Sequence, residues 1–172
     1  MMDQLIILGF AGVLGAWIAW RDWKTRLIDD RESGALLAVA LLAAFLGGGT
    51  EALSRAAIGS GALFGLLLVI RVGLGRLRRM EMMGAGDVGL GLACGALVGW
   101  PGIPLFLMLA GLVGMVTTLL WRWLEDGDEA APFAPAMLTA ALLVAVGHAM
   151  GLPVGLASPD ESAALLSWLG IL

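Results

Sequence analysis

Long apolar runs alternate along the chain with short charged segments. Uncharged residues extend over 4–20, 33–50, 56–70 and 88–121. A transmembrane helix needs about 20 predominantly apolar residues, and we therefore interpret the first three runs as one span each. Because the fourth run is too long for one crossing, it predicts more than one helix.

The segment 100–104 (WPGIP) interrupts that fourth run. Proline and glycine end helices, so the run predicts a fourth and a fifth span. A sixth is predicted over residues 135–151. The tail 161–172 is too short to cross, and we expect it to lie in the membrane interface as a short helix. The predicted fold is all-α and polytopic, with about six transmembrane helices.

Composition supports a membrane protein. Hydrophobic residues make up 60% of the chain and charged residues 14%, whereas charged residues are roughly 25% of soluble domains. We expect residues 1–172 to form a single domain in the lipid bilayer, with no nucleic-acid partner.

The positions of the basic residues predict the orientation. Nine of the ten follow the first, third and fifth spans: Arg21, Lys24, Arg26, Arg31, Arg71, Arg76, Arg78, Arg79 and Arg122. Only Arg55 lies in another connection. Because cytoplasmic loops retain lysine and arginine, we expect the N-terminus outside and these three connections in the cytoplasm. Six tryptophans near predicted span ends are typical of an interfacial belt.

Two acidic residues are predicted to meet at the cytoplasmic face. Asp22 ends the first span and Asp87, in the stretch EMMGAGDVGLG, begins the fourth. Paired carboxylates can hydrolyse a peptide without a metal, because one takes a proton from water while the other polarises the scissile carbonyl. A helix N-terminus favours the anionic form of Asp87, but a pair titrates as a unit, so the base is not assigned. Taken singly, each acid also fits a helix cap or a solvated interfacial charge.

The glycines beside Asp87 suggest room for a substrate. Gly84 and Gly86 carry no side chains, so a peptide backbone can approach closely, and the segment 82–86 could pair with an extended substrate. Cys94 is the only cysteine and lies in an apolar run, and His148 is the only histidine. We interpret both as structural, and we expect neither a metal nor another cofactor.

Three motifs resemble one family. The stretch MGAGDVGLGLACGALVGW is similar to the Gly-x-Gly-Asp motif of the type IV prepilin peptidases, which are membrane aspartyl proteases. DWKTRLIDD resembles their first motif, with matches at Asp22, Arg26 and Ile28, and APFAPAM resembles the stretch that opens their last helix. The resemblance covers residues 9–147 and implies that Asp22 and Asp87 are catalytic, with Gly84, Gly86 and Arg26 binding or positioning substrate.

Two positions depart from the family pattern. Asp29 stands where proline is usual, and Gly89 stands where many members have lysine. These departures affect the expected loop geometry but remove no catalytic acid. Asp29 is also an alternative partner for Asp87 if its loop folds back.

The resemblance implies a function and a location. The chain lacks the cysteine-containing insert of the bifunctional members, so it resembles the short, peptidase-only type of tight-adherence (Flp) pili. The expected enzyme removes the basic leader from a prepilin or pseudopilin at the cytoplasmic face of the bacterial inner membrane, without methyltransferase activity. Attraction of the leader is expected from Asp29, Asp30, Glu32, Glu81 or the loop EDGDE.

Two other classes compete with this interpretation. The first is a non-catalytic assembly factor of a pilus or secretion system that keeps a degenerate peptidase fold. The second is a proton-coupled transporter, whose acids would lie at mid-membrane. The predicted placement of Asp22 and Asp87 at span ends counts against the transporter.

Overall fold

The described part of the chain is almost entirely helical. The computed structural model describes residues 2–78, 84–124 and 132–152. It contains four helices, α1 (Met2–Thr25), α2 (Asp30–Arg78), α3 (Ala85–Leu124) and α4 (Ala134–Ala149). The first three are long and apolar enough to cross a membrane, and α4 is a shorter apolar helix. The predicted all-α, polytopic fold is confirmed, whereas the tail 161–172 lies outside the described residues.

Helix α2 is broken near its middle. Its 49 residues would extend about 73 Å if straight, at about 1.5 Å per residue, which is more than twice the thickness of a bilayer core. Gly48 and Gly49 leave the helical conformation, and Gly49 has a φ of 63°, a region that glycine enters without steric cost. Ala40 and Ala56 then pack in one small cluster with Ala96. The two halves of α2 therefore form a hairpin.

Helix α3 is broken at Gly99, whose φ is 64°. The sequence predicted an interruption here, and the interruption is confirmed, but the residue that makes it is the glycine before 100–104. Pro101 and Pro104 lie in the helix that follows the break. Pro101 lies in the first turn of that helix, where backbone N–H groups have no hydrogen-bond partner within the helix. The N–H that proline lacks therefore costs this helix no hydrogen bond. With α1, α4 and two halves in each of α2 and α3, the helices fit six membrane crossings. The number of crossings stays a prediction.

Contacts at glycines show the relative directions of neighbouring helices. A Cβ at Gly91 would meet Leu67, and one at Gly95 would meet Gly59, so the second half of α2 is antiparallel to the first half of α3. Likewise, α1 and α4 are antiparallel, as the contacts of Gly12 with Leu142 and of Gly15 with Leu138 indicate. Asp22, near the end of α1, and Asp87, near the start of α3, interact electrostatically, so both lie at the same end of the bundle, which we call the acid end.

The closest helix crossing joins α2 and α3. A Cβ built on Gly59 would lie 2.5 Å from the carbonyl oxygen of Gly95 and 2.7 Å from the backbone nitrogen of Trp100. Small residues allow such close backbone approach between membrane helices, where packing rather than the hydrophobic effect drives association. This crossing holds the α3 break against α2.

The core and the surface are both apolar, as expected for a helical protein surrounded by lipid. The largest fully buried side chains are Phe106, Ile18, Leu36, Leu63, Leu90, Met137, Val144 and Cys94. Large apolar side chains are also exposed on the outside, including Phe10, Val13, Leu119 and Trp123. Exposed apolar surface of this extent marks a contact with lipid or protein.

Candidate active site

Asp22 is buried although it lies in the last turn of α1. It is 5% exposed, and its Oδ2 accepts a hydrogen bond of 3.2 Å from the backbone N–H of Ala134. Ala134 is the first residue of α4, whose N-cap, Phe133, provides no side-chain hydrogen bond. Asp22 therefore caps a helix 112 residues later in the chain, and the dipole of that helix favours a negative charge there.

Asp87 lies in the first turn of α3. Its Oδ2 accepts a hydrogen bond of 3.2 Å from the backbone N–H of Gly84, the residue before the helix. A glutamate at the third helical position does the same in a capping box. The Asp87 side chain is thereby turned toward the N-terminus of its own helix.

The fold brings the two acids together. Asp22 and Asp87 interact electrostatically, and the carboxylate of each accepts a hydrogen bond from a backbone N–H at a helix start, of α4 for Asp22 and of α3 for Asp87. Two like charges close to one another cannot both ionise easily. The sequence placed both acids at one membrane depth, and the structure adds their mutual interaction and the backbone groups that hold them.

The connection between α1 and α2 packs on the first turn of α3. A Cβ built on Gly86 would lie 2.7 Å from the Cβ of Ile28 and 3.3 Å from its carbonyl oxygen. Ile28 thus occupies the space beside Gly86 that the sequence analysis assigned to substrate. Gly84 is exposed, and the nearest atom to a Cβ there is Asp87 Oδ2, at 3.2 Å. Of the two glycines, Gly84 is the exposed one and the one whose own N–H is bonded to Asp87.

Arg26 ends α1 in a left-handed conformation. Its φ is 54°, and its N–H donates to the carbonyl oxygen of Asp22 at 2.8 Å. Its guanidinium lies 5.3 Å from the ring centre of Trp121, which also contacts Trp23 edge to face at 4.9 Å. Trp121 is 4% exposed, so it is part of the acid end rather than of a lipid-facing belt. The sequence analysis did not anticipate this role for Trp121.

The two departures from the family pattern have a structural account. Asp29 is the N-cap of α2, because its Oδ1 accepts a hydrogen bond of 3.0 Å from the N–H of Arg31. Its carbonyl also accepts from the N–H groups of Glu32 and Ser33. Asp29 therefore starts a helix, and no described contact joins it to Asp87. Asp30 is exposed, and its Oδ1 lies 3.8 Å from where a Cβ of residue 89 would be.

Glu32 binds back to α1. Its Oε1 accepts from Arg21 Nη1 at 2.6 Å and from Trp17 Nε1 at 3.1 Å. The sequence predicted that Glu32 helps to attract the leader, but Oε1 of its carboxylate is bound by these two side chains. Glu81 and the acids of EDGDE lie outside the described residues.

A cavity among the described residues lies away from the two acids. A space of about 380 Å³ at the opposite end of the bundle is lined by Gly48, Arg55, Gly99 and His148, among others. Neither Asp22 nor Asp87 lines it. We therefore place the candidate site at the acid end and not in this cavity.

Comparison with known proteins agrees with the motifs. The sequence profile of the type IV leader peptidase family matches residues 8–119, which is more than half of the chain. The chain belongs to the type IV leader peptidase family. The matched segment contains both acids, the α1–α2 connection and the two helix breaks, so the predicted family resemblance is confirmed.

Two curated relatives carry the same name. The chain is 35% identical over 134 residues to a "Prepilin leader peptidase/N-methyltransferase" of Pectobacterium carotovorum subsp. carotovorum, covering 78% of this chain and 46% of the relative. It is 31% identical over 132 residues to a protein of that name in Dickeya chrysanthemi, covering 76% and 46%. The chain therefore spans about half the length of these relatives. No solved structure gives a significant match.

Proposed function

We propose that this member of the type IV leader peptidase family is a membrane-embedded aspartyl endopeptidase. Its substrate is a type IV prepilin or pseudopilin of the tight-adherence (Flp) kind, and it removes the basic leader at the cytoplasmic face of a bacterial inner membrane. The names of the two curated relatives support a prepilin substrate.

The observation that carries the proposal is that Asp22 and Asp87 interact electrostatically while each carboxylate is hydrogen-bonded to a backbone N–H at a helix start. A pair that shares a proton can activate water through its ionised member and protonate the carbonyl oxygen through the other. The N–H groups of Ala134 and Gly84 orient the carboxylates, so the pair is held before substrate arrives. Asp30, exposed beside Gly89, gives the site a negative charge that favours a basic leader.

We further propose that the activity is peptidase only. The chain contains one cysteine, Cys94, and its thiol is buried in the core. It offers neither the paired cysteines of the bifunctional members nor an accessible thiol nucleophile. The cut pilin is therefore expected to carry an unmethylated N-terminus unless a separate enzyme acts on it.

The test is cleavage of a co-expressed small prepilin, followed by a gel shift and by mass spectrometry of the new N-terminus. Asp22→Asn and Asp87→Asn should each abolish processing, while Asp29→Asn, an equally conservative change in the same region, should not. Processing should survive chelators and thiol-blocking reagents, because two carboxylates carry the reaction.

Three results would contradict the proposal. Loss of activity with a chelator and its return with a metal would replace the two-carboxylate mechanism. A methylated product in the absence of other enzymes would remove the peptidase-only assignment. Binding of the prepilin by the wild-type protein without any cleavage would favour the non-catalytic assembly factor.

A further inference from the structure

An ion pair joins the end of α1 to the start of α2, and its arginine is the residue before Asp22. Arg21 Nη1 lies 2.6 Å from Glu32 Oε1 and 3.9 Å from Asp29 Oδ2. Trp17, one turn before Arg21, donates to the same Glu32 oxygen at 3.1 Å. We call the contacts of Glu32 with Arg21 and Trp17 the α1–α2 clamp.

The clamp is attached to both acids through the chain. On one side, Arg21 immediately precedes Asp22. On the other, the connection closed by the clamp contains Ile28, which packs on Gly86, the residue before Asp87. A displacement of the α2 start from α1 would therefore move Ile28 and change the separation of the two carboxylates.

The environment of Glu32 indicates a positioning role rather than a simple surface pair. Its side chain is 16% exposed, and its Oε2 is buried with no hydrogen-bond partner among the described residues. Burying a carboxylate costs free energy that pairing only partly returns. A carboxylate kept in such a place is better explained by the geometry it enforces than by the stability it adds.

We propose that Glu32 is a positioning residue for catalysis, acting through Arg21 and Trp17 to hold Asp22 at its working distance from Asp87. The expected effect on kcat rests on the proposed peptidase function. The expected effect on the distance between α1 and α3 rests on the structure alone. Glu32 itself touches neither substrate nor the reacting atoms.

The experiment uses the purified full-length chain in nanodiscs, with Glu32→Ala, Glu32→Gln and the control Glu51→Gln. Glu51 forms the same kind of pair with Arg55, but exposed and at the opposite end. Glu32→Ala should lower kcat for prepilin cleavage by about tenfold to a hundredfold, the range expected for misplaced catalytic groups, with KM nearly unchanged. Glu32→Gln keeps an acceptor for Arg21 and Trp17 and should retain most of the activity.

A second measurement does not depend on activity. Spin labels on Thr25→Cys and Ala85→Cys, in a Cys94→Ser background, report the distance between the end of α1 and the start of α3. The distance distribution should shift or broaden in Glu32→Ala and stay unchanged in Glu32→Gln and Glu51→Gln.

The outcomes separate the two proposals. Wild-type kcat in Glu32→Ala, or a change confined to KM, overturns the positioning role. An unchanged spin-label distance in Glu32→Ala overturns it as well. If the wild-type protein cleaves no prepilin, the peptidase function fails, while the distance measurement still decides whether the clamp holds the acid end together.

Discussion

The side chain of Asp22 accepts a hydrogen bond from the backbone N–H of Ala134, and this bond ties the end of α1 to the start of α4. Asp22 therefore combines a structural task with the proposed catalytic one, since the carboxylate proposed to act with Asp87 also caps a helix that has no side-chain cap of its own. The two tasks make different demands on the side chain and can be separated by substitution.

Two substitutions of Asp22 should differ in stability but not in activity. Asp22→Asn keeps an oxygen that can accept from Ala134, whereas Asp22→Ala leaves a buried donor unsatisfied, which costs about 1–3 kcal/mol. Both should abolish cleavage, because neither can share a proton with Asp87. Thermal unfolding in detergent, measured alongside prepilin processing, checks this. Equal unfolding temperatures for the two variants would show that the hydrogen bond to Ala134 does not stabilise the fold.

Substitutions of Asp29 should follow the rules of helix capping. Asn is as good an N-cap as Asp, so Asp29→Asn should keep both stability and activity, and Asp29→Ala should lose about 1 kcal/mol of stability. The measurements are again unfolding and processing. If instead Asp29→Asn were inactive and Asp22→Asn active, the acid pair would have to be reassigned to Asp29 and Asp87.

A methyl group at residue 86 should displace the α1–α2 connection. Gly86→Ala puts a Cβ 2.7 Å from that of Ile28, so it should abolish or strongly reduce processing. Ile28→Ala keeps its own Cβ and should not rescue it, whereas Ile28→Gly should restore part of the activity. Gly61→Ala, which meets nothing within 4 Å, is the matched control. An active Gly86→Ala enzyme would mean that this contact is not needed for the site.

The crossing of α2 and α3 should be the most sensitive packing position away from the acids. Gly59→Ala would drive a methyl group into the backbone of residues 95–100, where no flexible side chain can move aside. It should lower the unfolding temperature by several degrees, in line with overpacking costs of about 1–3 kcal/mol. Gly65→Ala, with open space around it, should be neutral. Equal effects of the two substitutions would argue against the close crossing.

The orientation of the bundle is testable by cysteine accessibility in a Cys94→Ser background. Positions near Lys24 and Arg78 should be labelled from the cytoplasm, and positions near Gly48 from outside, because the basic residues lie at the acid end. A position near Gly155, outside the described residues, should also be external. Labelling of the Lys24 and Gly48 sites from one side would contradict six crossings.

The sequence predicted those features that depend on local composition. Apolar run length and charge placement located the helices and brought Asp22 and Asp87 to one end. The N-cap role of Asp29 also has a local signal, because Asp immediately before a helical run marks a helix start. The family pattern, which has proline at this position, does not contain that signal. The α3 break was expected at prolines, although Gly99 alone adopts the conformation that a break requires.

The remaining features depend on how distant segments pack together, and the sequence around each residue gives no signal for them. Nothing in the residues around Ala134 indicates that its N–H meets Asp22, because the donor is backbone and the partner is distant in sequence. The same holds for Ile28 against Gly86. Glu32 looked like one acid among several in a charged connection, and only the packing of α2 on α1 selects Arg21 and Trp17 as its partners.

The long sequence separation of the Asp22–Ala134 hydrogen bond has a consequence for biosynthesis. A nascent chain that has not yet been elongated past residue 134 contains both acids but lacks the donor that orients Asp22. The geometry of the acid pair is therefore completed only when α4 has been translated and has joined α1.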